Sequence, residues 1–154
     1  MSEAVGRGKD VQIAICFKVF CFVRNHTIGS CKPLPAHYHI MHGDKLVSRS
    51  VNASPGSEVE CQERSLQQAI EMSRNWEGEQ EPDGIECFGG ALRKGGEIIS
   101  FASQADGKDF DNTVVLLTGL MLGYIDIDML VCLAKQNQNE LVRALFAKLS
   151  GTHG

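Results

Sequence analysis

The chain has 154 residues, 43% of them hydrophobic, which suits one core of ordinary domain size. Its net charge is -4 and its pI about 5.7, and its basic residues are scattered, as at Arg7, Lys9, Lys18, Arg24, Lys32, Lys45 and Arg49. That pattern speaks against a nucleic-acid or anionic-membrane partner. No apolar run reaches the roughly 20 residues that a membrane span needs. Glu3, Asp10, Gln12 and Lys18 also interrupt any signal-peptide pattern, so a cytoplasmic protein is expected.

The first ten residues are small and polar and are expected to form a flexible arm (1–10), with a single domain over 11–150. From Val11 to Val23 every odd position is apolar, and Phe20 and Phe22 add aromatic residues at even ones. Period-two alternation of this kind predicts a long N-terminal strand, buried on both faces in its second half. Gly29, Pro33 and Pro35 mark a loop after it. A hairpin follows, turning at Gly43-Asp44, with His42 facing Lys45, His39 facing Ser48 and His37 facing Ser50. One of its faces carries Ala36, Tyr38, Ile40 and Val47; the other carries His37, His39, Ser48 and Ser50.

Ser57 and Glu60 have the form of a capping box. The helix they open is expected to bury Val59, Leu66, Ala69, Ile70, Ser73 and Trp76, before an acidic loop over 77–84. A second hairpin turns at Gly95-Gly96, with Leu92 facing Ile99, Gly90 facing Phe101 and Phe88 facing Ser103. Asp109 and Asp111 read as first-turn acids of an apolar helix that contains Gly119 and ends near Gly123. Asp126 or Asp128 caps a last helix with a polar gap over 136–139, where it can break. The expected fold is α+β: an antiparallel sheet of two hairpins plus the N-terminal strand, packed against three helices.

Two groups of residues are candidate sites. In a strand, His37 and His39 lie on one face, about 7 Å apart at the backbone, a spacing that can ligate one divalent transition metal such as zinc. Asp44 is the nearest candidate for a third ligand in this hairpin, with His26 and Cys31 as alternatives. The second group is the small-residue face of the second hairpin, Gly89, Ala91, Ser100 and Ala102. Such a face lets a helix pack closely, or leaves room for a small apolar ligand.

Locally, Leu34-Pro35-Ala36-His37-Tyr38-His39 resembles the first metal motif of the cupin family, in which two histidines one residue apart precede a glutamate and a glycine. The resemblance spans about ten residues. Asp44 stands nearest the glutamate position, Val51 occupies the glycine position, the second motif's histidine is absent, and the C-terminal half reads as helical. The family is therefore not assigned.

No nucleophile-elbow, zincin, P-loop or dinucleotide-binding pattern occurs. The six cysteines, Cys16, Cys21, Cys31, Cys61, Cys87 and Cys132, contain no C-x-x-C and read as reduced, buried small hydrophobes. The expected function is a binding or interaction module without catalysis, homodimeric because Met129 and Leu133 leave the last helix apolar on more than one side. The alternative is a metal-dependent enzyme built on His37 and His39.

Overall fold

The computed structural model describes residues 2–27, 36–42, 45–51, 57–74, 84–103 and 109–150. The fold is α+β. Its helices are α1 (Ser2–Asn25), α2 (Ser57–Arg74), α3 (Asp109–Met121), α4 (Ile127–Gln136) and α5 (Glu140–Ser150). Its strands are β1 (Ala36–His42), β2 (Lys45–Val51), β3 (Ile85–Phe88), β4 (Ala91–Lys94) and β5 (Glu97–Ser103). They form one antiparallel sheet in the order β2-β1-β5-β4-β3.

The first hairpin has the register read from the sequence, His42 opposite Lys45 through Ala36 opposite Val51. Its turn residues, including Asp44, lie outside the described residues. The second hairpin pairs Lys94 with Glu97 and Leu92 with Ile99, as expected, but its outer strand is shorter. The chain turns again at Gly89-Gly90, where Gly89 has φ 54°, and β3 folds back on β4 with Phe88 opposite Ala91. Phe88 therefore does not face Ser103. A glycine pair favours a tight left-handed turn over a continued strand. Gly90 does keep its expected partner: Phe101 N donates to its carbonyl oxygen at 2.7 Å.

The largest correction is at the N-terminus. Residues 11–23 are not a strand but the body of α1, which also takes in most of the segment expected as an arm. In a stretch where nearly every position is apolar, period two is no longer diagnostic, and thirteen residues without a turn signal exceed the usual strand. The helices number five rather than three among the described residues. The predicted last helix is broken at Asn137-Gln138-Asn139, where Gln138 adopts φ 54°. Asp126 caps α4, accepting from Met129 N at 2.8 Å. Asn139 opens α5, its Oδ1 accepting from Val142 N at 3.2 Å.

The sheet divides the helices. Tyr38, Ile40, Leu92, Ile99 and Phe101 belong to the main core, together with Phe20 of α1, Phe110 and Val114 of α3, and residues of α4 and α5. The Phe20 and Phe101 rings lie 5.6 Å apart and Phe20 and Phe110 6.2 Å apart, separations typical of favourable aromatic pairs. α3 packs closely on β4 because Gly119 has no Cβ; one there would run into Leu92 Cδ2. α2 covers the opposite face, where Ala69 and Met72 pack with Ala91, Ile98 and Met41.

Met129 is half-buried against the core and Leu133 is buried, so neither supplies the exposed apolar surface expected of them, although Ile127 at the start of α4 is 52% exposed. No helix among the described residues is long and apolar enough to cross a membrane.

Candidate functional site

Alternation along β1 brings His37 and His39 side by side, as the sequence indicated, with ring centroids 4.7 Å apart. Both are buried, because α2 lies over this face. The helix presents a stripe of small residues at i, i+4 spacing, Cys61, Ser65 and Ala69, all with no exposed surface. Ser65 Oγ lies 2.6 Å from His39 Nδ1 and 3.1 Å from the carbonyl oxygen of Gln62. With the hydroxyl donating to Gln62, His39 carries its proton on Nδ1 and offers Nε2 as an acceptor. One strand over, Ser100 Oγ donates to the carbonyl oxygen of Ser65 at 2.6 Å.

This shifts the expected orientation of α2: Ala69 is buried as expected, while the side chains of Val59, Ser73 and Trp76 lie outside the described residues. Ile70, expected inside, is 37% exposed, and Leu66 is only half-buried. A buried histidine and a buried serine on the sheet need hydrogen-bond partners, and the Cys-Ser-Ala stripe approaches closely enough for Ser65 to supply them to His39 and Ser100. The spacing of Cys61, Ser65 and Ala69 was the available signal, and a search for the largest apolar stripe passes over it.

Burial, with the neighbouring His37 second, pushes His39 down to about 4, so its imidazole is neutral at physiological pH. A neutral His39 imidazole is suited to metal ligation. Among the described residues, however, no three His, Cys, Asp or Glu side chains are placed to hold a metal ion. Asp44 and Cys31 lie outside those residues. His26 is exposed just past α1, its ring 4.3 Å from that of Phe22.

The small-residue face is the same face of the sheet. Ala91, Ser100 and Ala102 have no exposed surface, and α2 occupies the room above Ala91 and Ser100. Gly89 sits apart in the β3–β4 turn, where its carbonyl oxygen accepts from Asn112 Nδ2 at 2.7 Å. That bond belongs to a buried network in which Asn139 Nδ2 donates to Asn112 Oδ1 at 2.8 Å and to Thr113 Oγ1 at 2.9 Å. These amides are used up tying the α4–α5 corner to α3.

Cys16, Cys21, Cys87 and Cys132 form no disulfide among the described residues. Burial pushes Cys16 and Cys87 up to about 12, so neither provides a thiolate nucleophile. Cys132 departs from the expected burial, being exposed on the outer side of α4.

A third feature was not foreseen. The outward side of α1 carries Val11, Ala14, Phe17, Cys21 and Phe22, with Lys18 as the charged member among 11–22. Val11 is 54% exposed, Phe17 47%, and Met121 at the end of α3 58%. Between α1 and α3, Lys18, Val19, Phe22, Leu117 and Met121 line an almost wholly apolar groove of about 190 Å³. Comparisons of the chain with protein families, with curated proteins and with solved structures gave no match.

Proposed function

We propose that the protein is an interaction module that pairs with a second copy of itself through the outward faces of α1 and α3. The reading rests on one observation: α1 is apolar around its whole circumference over residues 11–23, apart from Gln12 and Lys18, yet the described residues cover only one side of it. A helix of that composition is stable in water only when both sides are buried. The self-complementary layout favours a second copy as the covering partner. Phe17, 47% exposed, and the groove lined by Phe22 and Met121 lie on opposite edges of the outward side of α1, so a two-fold contact can seat each ring in the other copy's groove.

Sedimentation across micromolar concentrations tests this reading. A dimer is expected, converting to a folded monomer in Phe17→Glu, whose site is on the surface. A wild-type chain that sediments as a monomer throughout the range overturns it.

The second reading is a metal-dependent enzyme, favoured by the contact of His37 with His39. It predicts about one metal equivalent in chelator-free protein and none in the His37→Ala, His39→Ala double variant.

A further inference from the structure

A cleft of about 360 Å³ opens where the start of α3 meets the α4–α5 corner, lined by Asp109, Ala134, Lys135, Gln138, Asn139, Glu140 and Arg143. Its charges are two carboxylates and two cations. Among the described residues none of these four groups is in an ion pair, although Glu140 and Arg143 are only three positions apart on one helix. The floor is fixed, because the Asn139 amide is committed to Asn112, Thr113 and Val142. A phosphate or dicarboxylate would meet Asp109 and Glu140 with like charge, and a polyamine would meet Lys135 and Arg143 in the same way. A ligand carrying one charge of each sign satisfies both pairs.

A second cavity adjoins the first. An apolar crevice of about 120 Å³ between α4 and α5 is lined by Leu130, Val131, Ala134, Val142, Arg143 and Phe146, and it shares Ala134 and Arg143 with the charged cleft. Its size suits one side chain and not a long tail. From the charged cleft and this crevice together we infer a binding site for a free α-amino acid with a large apolar side chain. Lys135 and Arg143 receive its carboxylate, Asp109 and Glu140 its ammonium group, and the crevice its side chain. Pockets at the lower end of the small-molecule range, apolar with a few convergent polar groups, hold ligands of this kind.

Titration with phenylalanine, followed by amide NMR shifts, tests the assignment. Saturable shifts over residues 134–143 are expected, with glycine and N-acetylphenylalanine amide binding roughly tenfold or more weakly. Arg143→Gln and Asp109→Asn, at surface positions, are each expected to weaken phenylalanine by a similar factor. Absence of saturation up to about 10 mM phenylalanine overturns the site. Equal binding of the blocked amide overturns the zwitterion, equal binding of glycine overturns the crevice, and unchanged binding in both variants overturns the location.

Discussion

The two faces of the sheet are built from the same strands by opposite means. Towards α1 and α3, the alternate residues Tyr38, Ile40, Ile99 and Phe101 are large and apolar, and contact is made by interlocking rings and branched chains. Towards α2, the residues between them are His37, His39, Ser100 and Ala102, and contact is made by small side chains and short hydrogen bonds. Area removed from water holds the first face together, while the second joins a smaller apolar cluster of Ala69, Met72, Ala91 and Ile98 to the His39–Ser65–Ser100 hydrogen bonds. The second interface depends on an imidazole remaining neutral, while the first meets a proton-sensitive group at the end of β5, where Ser103 donates to Asp111.

Breaking the apolar side should cost most. Phe101→Ala removes a buried ring that contacts both Phe20 and Phe110, and a loss of about 3–5 kcal/mol is expected in urea denaturation. A loss no larger than that of a surface substitution would mean that this face is not the main source of stability.

The pH dependence should sharpen the contrast. His39, held near 4 in the fold against 6.5 in the unfolded chain, gives stability that is complete above pH 6.5. That stability is lost as pH falls towards 4, by roughly 3 kcal/mol. Asp111, at the start of α3, runs the other way. Burial first of all raises it from 3.8 to about 6, against the Ser103 Oγ bond at 2.7 Å and the nearby Arg64, which lower it. A raised carboxyl stabilises the fold below pH 3.8 and loses that contribution as pH rises to 6, again by roughly 3 kcal/mol. The two slopes offset each other, so the wild-type protein should show little net change between pH 4 and 6. Asp111→Asn should unmask loss of stability on acidification, and His39→Gln should unmask a gain. A wild-type slope that neither variant alters would remove both assignments.

Ser100→Ala should have the smallest effect. It leaves the buried carbonyl oxygen of Ser65 without this donor, at a cost of about 1–3 kcal/mol in the same denaturation assay.

Much of the sheet was legible in the chain, because hairpin register follows from turn residues and alternation. The pairing of His39 with Ser48 and of Leu92 with Ile99 needed only the positions of Gly43-Asp44 and Gly95-Gly96. The same rule read to its end would also have turned the chain at Gly89-Gly90. Residues 11–23 were misassigned for a different reason: an all-round apolar segment carries little periodic information, and length was the better guide. The burial expected on both faces is met on one side of α1 only, where Val19, Phe20 and Val23 are buried, while Val11 and Phe17 are exposed on the other. Of the candidate site, the contact between His37 and His39 was legible from alternation. Its cover was not, because the closest-packing face of α2 is made of Cys61, Ser65 and Ala69 and not of its most hydrophobic residues.

The strand order β2-β1-β5-β4-β3 also sets how the chain can assemble. β1 with β2, and β3 with β4 and β5, are local units that can zip from their own turns. The seam between β1 and β5 joins them, and closing it gathers in a loop of roughly 50 residues that contains α2. That seam is the longest-range pairing within the sheet, so the sheet becomes one body only when its central pair of strands meets.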